Sequence, residues 1–202
     1  MSTAAADPPI GRAVCVYCAS SRSSHPDYRV AARRLGEVLA HEGIGIVYGG
    51  GASGSMGALA DGALRAGGRV VGILPRFMAD LEWGHAGLTE LQLVEDLRTR
   101  KHLMLTLSSA AIALPGGSGT LEELLEAITF KRLGLYLNPI VLVNTRGFFN
   151  PLQQLLGHAV EEHFMDPRHL LMWQLVDTPE EVPAALARAP AWSHEARNFA
   201  SV

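Results

Sequence analysis

A chain of 202 residues has the length of a single domain, and 48% hydrophobic against 18% charged residues excludes a disordered polymer. Its 17 Lys and Arg against 20 Asp and Glu leave a formal net charge of -3. With no basic run or basic-aromatic interleaving, a nucleic-acid polymer is a poor partner. There is also no apolar stretch of membrane-span length and no signal-peptide pattern, so no membrane partner and a cytoplasmic location are expected.

Residues 1–11, small and polar around Pro8-Pro9, read as a disordered lead. Ala13 to Tyr17 is a short buried strand, and Asp27 to His41 carries helical spacing through Val30, Leu35, Val38 and Leu39. Ile44 to Tyr48 is the next strand and runs into three glycines; Met56 to Ala66 is an Ala-rich helix. Arg69 to Leu74 is a third strand closed by Pro75. Residues 76–90 are irregular, hold Trp83 and His85, and read as a lid or surface excursion. Leu91 to Val94 is a strand, Leu97 to Leu107 a helix, Ala110 to Leu114 a strand and Thr120 to Leu133 a helix. Pro139 to Val143, Leu152 to His163 and Leu171 to Val176 continue as strand, helix and strand. Pro179 opens a final helix ending near Ala187, followed by a frayed polar tail over 191–202.

Strands that alternate with crossover-length helices predict an α/β, Rossmann-like three-layer fold, a central parallel sheet flanked by helices. No linker divides the chain, so one nucleotide-binding domain spans 12–190. In such folds ligands gather outside the carboxyl ends of the strands. Two glycine-rich segments sit at those ends, after Tyr48 and after Leu114.

The first, Gly49 to Gly57, permits tight turns and close backbone approach, and the following helix offers unpaired N–H groups to an anion. Gly50, Gly51, Ser53 and Met56 are its substrate-facing candidates; Met56 packs whichever role the loop has, and the loop can equally be a plain strand-to-helix turn. The second, Pro115 to Glu123, repeats the arrangement with Gly116, Gly117, Ser118, Gly119 and Thr120. It lacks the Gly-Lys-Ser/Thr ending of a triphosphate loop, which a monophosphate does not need. Glu122 and Glu123 either complement the helix dipole or place one carboxylate in the cleft. Arg100-Lys101 stands early in a helix, where the dipole disfavours a cation, which points to an anionic ligand or a carboxylate partner. His85 and Glu90 border the irregular segment as pocket or surface residues. The histidines lack metal-ligand spacing, so no metal is assigned. Cys15 and Cys18 read as buried structural thiols rather than a redox pair.

The order of these motifs resembles the cytokinin-activating phosphoribohydrolases, long labelled lysine decarboxylases. The residues that carry the resemblance are Tyr17 to Ser21, Gly49 to Gly57, Asp61-Gly62-Ala63, Gly72 to Pro75, Thr99 to Met104, Leu114 to Glu126, Ile128-Thr129 and Leu133-Gly134. The resemblance implies a homodimer without a cofactor that hydrolyses cytokinin riboside 5'-monophosphates, or AMP, to free base and ribose 5-phosphate. It places the catalytic arginine on Arg100 and the catalytic glutamate on Glu123. Nucleotide contacts then fall on Lys101, Gly116, Gly117, Ser118, Gly119, Thr120 and Glu122, with Glu90 a carboxylate ahead of the basic pair. The chain departs from the family pattern at Leu97-Arg98, where Met-His is frequent, and at Ser118, where an aromatic residue is frequent. A non-catalytic nucleotide or cofactor carrier and a structural protein on the same fold are the other readings. Leu74, Phe77, Met78, Trp83, Leu133 and Leu135 are candidates to line a base pocket.

Overall fold

A computed structural model describes residues 12–79 and 84–199. The lead over 1–11, Trp83 within the irregular segment, and the last three residues of the tail therefore lie outside the described residues. Seven strands form one parallel sheet: β1 (Ala13–Tyr17), β2 (Gly45–Tyr48), β3 (Val70–Pro75), β4 (Glu90–Val94), β5 (Ala111–Ala113), β6 (Ile140–Val143) and β7 (Gln174–Val176). Between them run α1 (Pro26–His41), α2 (Gly54–Arg65), the short α3 (Arg76–Ala79), α4 (Leu97–Thr106), α5 (Ser118–Arg132), α6 (Asn150–Glu161) and α7 (Val182–Arg188). The strand order is β4-β3-β2-β1-β5-β6-β7. The chain walks outward from β1 to β4, then returns to the other side of β1, so the winding reverses between β1 and β5. That reversal leaves a crevice at the carboxyl ends of these two strands.

The inner strands read as unbroken apolar runs because both faces of the sheet are covered there, whereas edge strand β4 leaves Leu91 and Leu93 exposed. In β1 every residue is buried, but alternate side chains belong to different cores. Val14 and Val16 join Ile46, Tyr48 and Ile112 under α1, α2 and α7. Ala13, Cys15 and Tyr17 join Val47, Ala113 and Met104 under α4 and α5. Cys18 belongs to the first core and Cys15 to the second, and both thiols are free. α1 and α2 pack close enough that a β-carbon on Gly36 would stand 2.2 Å from the Leu59 carbonyl oxygen, and one on Gly62 2.1 Å from that of Arg33. Only glycine allows two helix backbones to approach so nearly.

Several expectations shift. Val30 is exposed, because the buried stripe of α1 runs through Ala32, Leu35, Gly36 and Leu39 and leaves Val30 on the outer side. Leu171 does not begin β7: Pro167–Leu171 is a 3-10 turn capped by Asp166, and the strand starts at Gln174. The segment after β3 begins with a helical turn, α3, rather than irregular chain. The tail is not frayed up to residue 199. The Trp192 indole donates to the Lys131 carbonyl at 3.0 Å, His194 Nδ1 meets the Gly134 carbonyl at 2.8 Å, and Ala196 is buried. These contacts dock the tail on the end of α5. Among the described residues, no helix is long and apolar enough to cross a membrane.

Candidate active site

The two glycine loops approach one another across the crevice. The loop after β1 is tied to the start of α2 by a bond from the Met56 N–H to the Ala19 carbonyl at 3.1 Å. The buried Tyr48 hydroxyl donates to the Gly51 carbonyl at 3.1 Å and holds the first glycine loop against its strand. On its outer side that loop is braced by the His85 N–H, which donates to the Gly50 carbonyl at 2.9 Å, and by a bridge between Gly51 and Gly84. His85 also reaches Asp61 of α2 at 3.2 Å, so it braces the loop from behind.

The N-termini of α4 and α5 are finished differently. Asp96 caps α4 by accepting from the Thr99 N–H at 2.7 Å, which satisfies one of the helix's orphan donors. α5 begins after Gly117, which has no side chain with which to cap. Its first N–H groups therefore face the crevice with the positive end of the helix dipole behind them, a ready anion site. Gly116 is required by packing here, since a β-carbon on it would lie 2.2 Å from the Thr120 Oγ1.

Glu123 stands in the second turn of α5, beyond these donors, and is only 9% exposed. Burial lifts its carboxyl to about 7, with the Arg100 charge pulling in the opposite direction and Glu122 adding to the rise. Arg100 enters from α4 and is 6% exposed. Its Nη2 donates to the Gly49 carbonyl at 3.1 Å and its Nη1 approaches the Met78 sulfur at 3.9 Å, while its Nε is buried without a partner among the described residues. A buried cationic donor left open beside a buried carboxyl is costly unless something binds there.

Two adjoining hollows make up the cleft. A smaller one of about 270 Å³ lies over Cys18, Gly117, Ser118, Gly119, Thr120 and Glu123. A larger one of about 470 Å³ lies over Gly49, Gly51, Ser53, Leu74, Met78 and Arg22. Arg100, Met56 and Ser20 line both, so Arg100 stands at the junction. The structure thus brings together Arg100, Glu123, Gly117, Ser118, Gly119, Thr120, Gly51, Ser53 and Met56. Gly116 and Gly50 support the loops from behind.

Other expected residues fall elsewhere. Glu90 does not reach the cleft: it opens β4, pairs with Arg69 at 2.9 Å, and sits at the amino-terminal edge of a parallel sheet whose cleft lies at the carboxyl edge. Lys101 is held between Glu122 and Glu126, the latter at 3.1 Å, so these three residues bind α4 to α5 and are not among the described residues that line either hollow. Of the apolar candidates, Leu74 and Met78 line the larger hollow. Phe77 points outward, and Leu133 and Leu135 are exposed at the far end of α5. Sequence reasoning missed Ser20 and Arg22; the signal for both was their place just beyond the carboxyl end of β1.

Gly49 tests this arrangement. A β-carbon on it would lie 1.8 Å from Arg100 Nη2, the far end of a flexible side chain. Gly49→Ala is expected to displace the guanidinium while leaving the fold intact. Tm should fall by a few degrees at most, whereas turnover should drop at least tenfold. Thermal melting and a rate assay on one preparation check both.

A family model described as "Possible lysine decarboxylase" matches residues 56–186. A probable cytokinin riboside 5'-monophosphate phosphoribohydrolase of Oryza sativa subsp. japonica is 41% identical over 173 residues, covering 85% of this chain and 70% of that protein. The cytokinin riboside 5'-monophosphate phosphoribohydrolase of Rhodococcoides fascians is 42% identical over 160 residues, covering 79% of this chain and 81% of that protein. Among solved structures, the molybdenum cofactor carrier protein MCP from Chlamydomonas reinhardtii matches with a TM-score of 0.68 at 20% identity, over 88% of this chain and 97% of that one. At that identity the likeness is one of fold.

Proposed function

Because the chain belongs to the family of cytokinin riboside 5'-monophosphate phosphoribohydrolases, we propose that it hydrolyses the N-glycosidic bond of such nucleotides or of AMP. The products are the free adenine-type base and ribose 5-phosphate. The observation that carries this reading is the buried Glu123, which shares one cleft with the uncapped start of α5 and with Arg100.

The 5'-phosphate sits on the N–H groups of Gly117 to Thr120, with the Ser118 and Thr120 hydroxyls beside it. The ribose lies at Arg100 and Glu123. The base extends past Arg100 into the larger hollow against Met56, Leu74 and Met78. As the C1'–N bond breaks, positive charge develops on the ribose ring; the Glu123 carboxylate stabilises it and orients or deprotonates the attacking water. Arg100 pulls the Glu123 carboxyl down against its burial and directs its open Nε toward the sugar. Binding energy from the non-reacting phosphate fixes the anomeric carbon against the carboxylate.

The reading extends to residues 12–190 as a single domain, working in the cytoplasm as a homodimer. Exposed leucines on α4 and α5, Leu97 and Leu125, with Leu133 just beyond α5, are suited to a subunit interface. Purified protein is expected to release adenine from AMP and isopentenyladenine from its riboside monophosphate, as detected by chromatography. Saturable nucleotide binding without base release would instead favour a carrier.

A further inference from the structure

Arg22 is a cation of the cleft that stands four residues beyond Cys18, in the loop after β1. Its backbone is pinned: Arg29 Nη1 donates to the carbonyls of Arg22 at 3.1 Å and Ser24 at 2.9 Å, tying the loop to α1. The side chain reaches across to the first glycine loop, where Nε and Nη2 both donate to the Ser53 Oγ at 3.1 and 3.0 Å. Its Nη1 has no hydrogen-bond partner among the described residues. The guanidinium is exposed and its hold on one rotatable hydroxyl is readily exchanged for another acceptor.

Its position argues for the base rather than the phosphate. Arg22 lines the larger hollow and not the smaller one that contains the α5 N-terminus, and Arg100 stands between the two. With a phosphate on Gly117 to Thr120 and a ribose at Arg100, the base is the part of the substrate that enters the hollow Arg22 lines. Guanidinium presents donors alone, in a planar fork. A 6-oxopurine offers two neighbouring acceptors, O6 and N7, which that fork meets with two parallel bonds. A 6-aminopurine offers N7 beside an N–H donor and takes one.

We infer that Arg22 reads an acceptor edge of the substrate's base, and that 6-oxopurine 5'-monophosphates are a further substrate class of this site. The inference rests on the hydrolase reading. It is tested by measuring kcat/KM for inosine 5'-monophosphate and AMP with wild type, Arg22→Ala and Arg22→Lys. Wild type should release base from both nucleotides. Arg22→Ala should lose about tenfold or more on the inosine nucleotide and clearly less than that on AMP, where one bond rather than two is removed. Arg22→Lys keeps the charge but loses the fork, and should follow the alanine variant. Equal losses on both nucleotides, which would assign Arg22 to the phosphate, overturn the inference. So do unchanged rates, or wild type that cleaves AMP but not the inosine nucleotide. If wild type releases base from neither, the hydrolase reading itself fails. Dissociation constants of the two nucleotides for wild type and Arg22→Ala then decide: a preferential loss for the inosine nucleotide supports the contact, and equal change removes it.

Discussion

Glu123→Gln is expected to lose about 10²- to 10⁴-fold in turnover while binding nucleotide with nearly wild-type affinity. The amide has the shape of the carboxyl but neither accepts a proton from water nor carries the charge that opposes the developing ribose cation. Base release followed by chromatography, beside a nucleotide titration, checks both halves. Full activity in this variant would remove Glu123 from the chemistry.

The same substitution has a stability signature of opposite sign. Burial raises the folded-state carboxyl from 4.5 to about 7. Between those values the folded protein binds a proton that the unfolded chain does not. The stabilisation is therefore present below about 4.5 and is lost as pH rises through about 7. Glutamine never ionises and escapes that loss. Relative to wild type, Glu123→Gln should gain on the order of 3 kcal/mol between acidic pH and pH 8, several degrees in Tm. Wild-type kcat/KM should rise with pH through about 7, since the ionised carboxylate is the working form. A flat stability difference across this range would mean that Glu123 titrates as an ordinary surface carboxylate.

Arg100→Ala is the second large effect, an expected loss of about 10³-fold in kcat/KM. It removes the guanidinium from the junction of the two hollows and the charge that draws the Glu123 carboxyl downward. The acid limb of the pH profile should consequently move above that of wild type, which a simple loss of substrate contact would not produce. Fold should change little. The Gly49 carbonyl loses its donor, at a cost of about 1–3 kcal/mol, but a buried Nε without a partner is removed at the same time. Tm within a few degrees of wild type, together with the lost rate and the shifted limb, is the expected pattern. A variant with wild-type kcat/KM would exclude Arg100 from the site.

Much of the architecture was legible along the chain because a sheet covered on both faces makes each inner strand a short unbroken apolar run. β1, β2, β3, β5 and β6 announce themselves in this way, and the helices between them show the longer period. The exceptions have local causes. β7 begins late because Asp166 and Pro167 favour a capped 3-10 turn through Leu171. The tail looked polar, yet Trp192, His194 and Ala196 find partners on α5 that no local pattern reveals.

The site divides along the same line. Gly116 to Glu123 and Arg100 were legible as candidates because a glycine turn between strand and helix and a cation at the wrong end of a dipole are properties of short segments. Glu90 was misplaced because a residue's distance in sequence from the basic pair does not tell which end of a parallel strand it occupies. Arg22 and Ser20 were missed because their membership of the cleft depends on which loops the winding sets side by side. Sequence by itself determined the doubly wound class, the two glycine loops at strand ends and the identity of the chemical groups, all of which rest on period-two, period-3.6 and turn preferences of neighbouring residues. Only the tertiary structure decided that Arg100 lies buried at a junction and that Glu123 titrates near neutrality. Desolvation and charge proximity arise when segments far apart in the chain exclude water together.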